Sequence, residues 1–187
     1  MYFDGLRRSS YRPVLDIGCG TGHSIRLGSI YPEDYMGIDI SEKMVATAKK
    51  KNPNYCFLQH DATKPFPAKF GMFLALYGQI NYFGFMPFLR MLEHCALDHL
   101  SFLLILYAKK DRDCVYKSGD PDKMYFSSYE VENSFRSTGI DISMYGFSYP
   151  QEEARITVSA QKERMMECDP ENNVGYKYLM VEGFRDA

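Results

Sequence analysis

The residues whose types and spacing could do chemistry lie in three places: Gly18-Cys19-Gly20-Thr21-Gly22, Asp39, and His60-Asp61-Ala62. Glycines in a turn between a strand and a helix let the backbone approach a ligand with no Cβ in the way. A dinucleotide site favours G-x-G-x-x-G, whose third glycine would fall at position 23, and that residue is His23. The tighter spacing suits a ligand without phosphates, such as the amino-acid part of a sulfonium nucleoside, and disfavours a nicotinamide-dependent reductase. Asp39 follows Gly18 by 21 positions and ends the second predicted strand. A carboxylate at the carboxyl edge of a sheet reaches both hydroxyls of a ribose, each charged hydrogen bond contributing roughly 1.5–3 kcal/mol. Its structural alternative is to cap the next helix, a task Ser41 already suits.

Asp61 can accept from an adenine amino group, with Ala62 leaving room for the ring, or it can be an ordinary turn residue. Asp16 orients the glycine loop or the ligand's ammonium end, and accepting from loop amides is compatible with either. Cys19 sits inside the loop, but no His or Asn is arranged to activate it, so it reads as a small filler. His23 is either an acid or base beside the loop or the exposed start of a helix.

Short β-rich apolar runs alternating with helical segments must position these groups, which is the pattern of a parallel sheet covered on both faces. Strands are expected over 14–18, 35–40, 55–59, 70–77, 100–107, 140–148 and 176–184. The 100–107 run is nearly all apolar and therefore central. Helices are expected over 23–30, ended by Tyr31-Pro32, and over 42–51, capped by Ser41 and broken by Asn52-Pro53-Asn54. Two more cover 87–97 and a segment capped near Ser127 or Ser128 and stopped by Gly139. The fold class is α/β and doubly wound, one domain over 1–187, with a short N-terminal segment 1–12 and a long connection 149–175 between the last two strands.

A chain of 187 residues supports one full core. Its 45% hydrophobic and 25% charged composition argues against disorder. The net charge of −2 argues against a duplex nucleic-acid partner. The basic clusters Arg7-Arg8, Lys49-Lys50-Lys51 and Lys109-Lys110 then read as solvated helix ends and loops. Five cysteines without a CxxC pair point to reduced thiols and a cytoplasmic setting. No apolar run approaches a membrane span, and no His/Asp/Glu cluster has metal spacing.

Three stretches, Val14–Gly22, Tyr35–Ala48 and Phe57–Ala62, resemble successive motifs of the class I S-adenosylmethionine-dependent methyltransferases. The resemblance runs in order over about residues 11–148. It implies a Rossmann-like seven-stranded sheet of order 3-2-1-4-5-7-6, with strand 7 antiparallel, and S-adenosylmethionine lying across strands one, two and four. By that resemblance Gly18, Gly20 and Gly22 pass beneath the methionine part and Asp39 binds the ribose. Ile40 and Met44 pack on the adenine, and Asp61 and Ala62 hold its edge. The family's fourth strand opens with an Asp after an aromatic, whereas here Phe70 is followed by Gly71.

The segment Tyr77-Gly78-Gln79-Ile80-Asn81-Tyr82 is similar to the Gly-Ser-Ile/Leu-Asn/His-Tyr type of small-molecule methyltransferases. It lacks the Asp/Asn-Pro-Pro-Tyr signature of enzymes that methylate nucleic-acid amino groups. The resemblance implies that Tyr77, Asn81 and Tyr82 stand near the transferred methyl and position the acceptor, with Tyr77 also touching the cofactor. The expected function is methyl transfer to an oxygen or nitrogen of a small molecule. The alternatives are RNA or protein methylation and a non-catalytic, cofactor-binding partner subunit. The segments 109–124 and 149–175 start at the edge where the acceptor would enter, and the second is expected to border its pocket.

Overall fold

A computed structural model describes residues 11–27, 30–108, 123–147 and 178–186. The expectations for 1–10 and 149–175, and for 109–122 within the first long segment, lie outside these residues.

The central strands show why the sheet is covered twice. In β4 (Phe70–Ala75) every residue is buried. Met72 and Leu74 enter one core cluster while Phe73 and Ala75 enter the other, because consecutive side chains leave a strand on opposite faces. Its neighbours are β1 (Val14–Ile17), β2 (Tyr35–Asp39), β3 (Cys56–Gln59), β5 (Ala96–Tyr107), β6 (Asp141–Phe147) and β7 (Tyr178–Arg185). The order is β3-β2-β1-β4-β5-β7-β6. β7 is antiparallel to both β5 and β6, and the other pairings are parallel. This is the order the resemblance implies.

Helix α1 (Glu42–Lys51) buries Val45 and Ala48 in the cluster containing Met72 and Leu74. Ser41 caps it, its hydroxyl accepting from Met44 N, and three lysines in the last turn complement the helix dipole. Helices α2 (Ile80–Phe83), α3 (Phe85–Cys95) and α4 (Ser128–Phe135) cover the other face through Ile80, Phe88, Leu92, Val131 and Phe135. Ser127 and Glu130 form a reciprocal capping box on α4. No helix among the described residues is long and apolar enough to cross a membrane.

Four elements differ from expectation. The helix expected over 23–30 is, where described, a single 3-10 turn, Ser24–Leu27. Ser24 is turned inward to donate to Asp16, and Tyr31-Pro32 opens a second 3-10 turn at Pro32–Asp34. Helix α3 starts at Phe85 because Gly84, at φ 80°, turns the chain there and leaves Pro87 in the first turn, where a missing N–H costs nothing. β5 therefore starts at Ala96, with an irregularity opposite Phe70 and Met72 before regular pairing resumes at Ser101. The fourth strand ends at Ala75 rather than Tyr77, since the short helix α2 takes over within the next few residues.

Gly71 also gains a reason. A Cβ there would lie 2.6 Å from the carbonyl carbon of Tyr11, and its N–H donates to Pro13 O. The incoming chain crosses where the family's aspartate would stand. Because β2 and β4 flank β1, the connections from β1 and to β4 leave on opposite sides, and a crevice opens beyond their carboxyl ends.

Candidate functional site

The glycine turn follows β1 directly. Gly18, Gly20 and Gly22 all have positive φ, at 66°, 53° and 78°, a region that side-chain-bearing residues enter only at a cost. Cys19 N–H donates to Ile38 O and Gly22 N–H to Cys19 O. Gly20 N–H donates to Asp39 Oδ2 at 2.9 Å. Asp39 Oδ1 accepts from Ser41 N–H, also at 2.9 Å. The Asp39 carboxylate thus ties the end of β2 to the loop after β1, and each oxygen keeps further acceptor capacity. Ser41, not Asp39, caps the helix.

Beside this carboxylate stands bare apolar surface. Ile40 is 71% exposed and Met44 44% exposed; Ile40 follows Asp39 directly and Met44 lies in the first turns of α1. An acceptor pair next to uncovered apolar side chains fits a ribose carrying an adenine. Asp61 has a turn role here: its Oδ1 accepts from both N–H and Oγ1 of Thr63. These bonds hold its carboxyl below the usual carboxylate range. Ala62 packs partly against the core.

Asp16 is held by side-chain hydroxyls. It is 2% exposed and accepts from the hydroxyls of Ser24 and, at 2.6 Å, Tyr35. No loop amide among the described bonds donates to it. Burial pushes its carboxyl up to about 6, against the opposing effect of the two hydroxyls. Its observed partners make it an internal support beneath the loop. Cys19 is buried, and burial, then the charges of Asp16 and Asp39, raise its thiol. It is an inert filler. Gly22 is filled from the protein side: a Cβ there would lie 2.7 Å from Asn52 Nδ2 and 2.9 Å from the Phe57 ring.

Across the crevice, the segment after β4 brings a residue that sequence reasoning missed. Gln79 lies over Gly18, so that a Cβ on Gly18 would stand 2.0 Å from Gln79 Cγ. Its Nε2 donates to Gly18 O at 3.1 Å and its Oε1 accepts from Tyr77 N–H at 2.9 Å. The signal was its place inside the Tyr77–Tyr82 segment. Tyr77 is 47% exposed and faces His23 edge-on, ring centroids 6.4 Å apart. Tyr82 is 49% exposed.

Asn81 requires a correction. It is fully buried, and its amide is already committed: Nδ2 donates to Tyr107 O at 3.0 Å and Met124 O at 2.5 Å, while Oδ1 accepts from Tyr107 N–H at 2.9 Å. Both N–H donors are used. Its place is therefore structural, clamping the end of β5 to residues 123–126, and it presents nothing to an acceptor. Among the described residues no group of three or more His, Cys, Asp or Glu side chains could hold a metal ion.

Residues 14–96 match the profile of a family described as a methyltransferase domain. No curated protein sequence matches the chain. Solved structures do. Magnesium protoporphyrin IX methyltransferase from Synechocystis PCC 6803, with bound SAH, superposes with a TM-score of 0.65 at 17% identity, over 99% of this chain and 79% of that one. The plantazolicin methyltransferase, in complex with a triazolic analog and SAH, gives 0.63 at 14% identity, over 100% and 81%. A complex from Haloferax volcanii between the Trm112 methyltransferase activator and a candidate methyltransferase gives 0.67 at 16%, over 100% and 89%. At these identities the structural likeness is one of fold. Residues 14–96 thus match the methyltransferase-domain profile, and the seven-stranded sheet shares its fold with these solved methyltransferases.

Proposed function

We propose that the protein is a methyltransferase that uses S-adenosylmethionine and acts on an oxygen or nitrogen of a small molecule. The observation that carries the donor half is Asp39, bound to the glycine loop through Gly20 N–H and followed by the exposed Ile40 and Met44. Asp39 would hold the ribose hydroxyls, Ile40 and Met44 would cover the adenine, and the turn from Gly18 to Gly22 would carry the methionine part. When bound, the cofactor supplies an activated methyl group. The chain's own task is alignment, which for a well-oriented pair can be equivalent to effective molarities of about 10⁵ M or more.

For the acceptor, the exposed Tyr77, just after β4, and Tyr82, in α2, would orient the nucleophile. A small acceptor is supported by the near-neutral charge and by the Tyr77–Tyr82 segment. Structural relatives named for magnesium protoporphyrin IX and plantazolicin support it too. A cytoplasmic setting and a single domain over 1–187 belong to the same proposal, the former supported by the free thiols of Cys19, Cys56 and Cys95. The Haloferax volcanii complex favours one second reading, activity that requires a partner subunit.

The test is transfer of label from methyl-labelled S-adenosylmethionine to panels of small hydroxyl and amino compounds, RNA, and protein extract. Label in small molecules is expected. Label confined to RNA or protein would overturn the acceptor assignment, and turnover only after a second chain is added would favour the partner reading.

A further inference from the structure

Beyond the end of β5 the described residues place one ammonium among aromatic rings. Lys123 Nζ stands 3.8 Å from the ring centroid of Tyr107 and 5.4 Å from that of Tyr82. Tyr107 is fixed from several sides. A Cβ on Gly78 would come within 2.3 Å of its ring, Tyr178 lies against it at 5.4 Å and Tyr125 at 6.2 Å. The Asn81 clamp holds its backbone and that of Met124, the residue next to Lys123. Phe126 N–H donates to Tyr107 O, completing the tie. Lys123 is thus delivered to the carboxyl edge by a dedicated buried amide.

Burial acts to lower the pKa of this ammonium, but the hydrogen bond with Tyr82 and the neighbouring phenols outweigh it, so the group stays charged. No described carboxylate pairs with it. Ring faces attract a cation without neutralising it, and an ammonium has three donors to offer. A methyl donor bound across β1, β2 and β4 is itself a cation. Two positive charges on one edge favour an anion between them and disfavour a neutral or cationic acceptor.

We propose that Lys123, seated on Tyr82 and Tyr107, anchors a carboxylate on the acceptor, which makes the substrate class small hydroxy- or aminocarboxylic acids. The proposal rests on the donor reading above. The rings of Tyr82, Tyr107 and Tyr125 would pack against the body of such an acid while Lys123 holds its charged end.

The test is binding of matched probes to the full chain saturated with SAH, followed by ligand-observed NMR: salicylate against salicylamide, and lactate against lactamide. At least one carboxylate is expected to bind tenfold or more tighter than its amide. That preference should vanish in Lys123→Met and return in Lys123→Arg, with SAH affinity unchanged in both. Equal binding of acid and amide, binding of neither pair, or a preference that survives Lys123→Met would overturn the proposal. So would a wild type without acid preference whose Lys123→Met variant gains affinity for tetramethylammonium, since the rings would then serve a cationic acceptor. Failure of SAH itself to bind would instead strike the donor reading.

Discussion

Around the ends of β1 and β2 the polar contacts run through backbone amides: Gly20 and Ser41 donate to Asp39, Cys19 to Ile38, and Gly22 to Cys19. Around the ends of β4 and β5 side chains add to the backbone bonds, with Gln79 on Gly18, Asn81 on Tyr107 and Met124, and Lys123 on two tyrosine rings. The first region needs little more than glycines and one acid at fixed positions, so many chains can share it. The second depends on the identity of each side chain and on residues distant in sequence, so it can be rebuilt for each acceptor. The difference suggests that the donor half is common property of the fold and the acceptor half is this protein's own.

The largest expected effect comes from breaking the second region alone. Asn81→Ala removes three buried hydrogen bonds and takes from Tyr107 N–H and Met124 O their Asn81 partner, while Tyr107 O keeps Phe126 N–H, at a cost of about 3 kcal/mol in unfolding free energy. Urea denaturation would measure it. At temperatures where the variant stays folded, SAH affinity should hold within threefold while methyl transfer falls at least tenfold. Equal loss of both would show that the two regions are not separable.

Asp16→Asn probes the support beneath the first region through pH. The native carboxyl titrates at about 6 against an ordinary value of 3.8, so the folded state holds its proton more tightly than the unfolded state. Its contribution to stability is therefore full below about pH 4 and is lost as pH rises to 6. A shift of this size corresponds to about 3 kcal/mol over that window. Unfolding free energies from pH 4 to 7 should fall more steeply in the wild type than in the variant, which can still accept from Ser24 and Tyr35. Parallel pH profiles would contradict the assignment.

The smallest effect sharpens the boundary between the regions. Gln79 is carried by the acceptor side but lies on Gly18 of the donor side. Gln79→Ala should weaken SAH by about fivefold, near 1 kcal/mol for hydrogen bonds of this kind, as titration would show. No change would assign Gln79 wholly to the β4 side.

The two regions were also unequally legible in the sequence. Gly18 to Gly22 and Asp39 declare themselves because a turn with positive φ needs glycine and a strand end facing a crevice gives an acid few other uses. Strand positions were readable from continuous apolar runs such as Phe70–Ala75. The first helix was not, because Ser24 is drawn inward by Asp16, a contact that periodicity cannot reveal. Asn81 was expected to face the acceptor; its three partners, on Tyr107 and Met124, lie 26 and 43 positions away. Lys123 was invisible for the same reason. Asp61 illustrates a third case, where a turn residue and a ligand residue share one sequence pattern, and the Thr63 bonds, both on Oδ1, are compatible with either role.

The central claim is that the edge built around Asp39 holds the methyl donor. Calorimetric titration of S-adenosylmethionine and SAH into wild type and Asp39→Ala tests it most directly. One cofactor per chain should bind the wild type, and the variant should bind at least tenfold more weakly. Absence of binding to the wild type, or equal affinity in the variant, would contradict it.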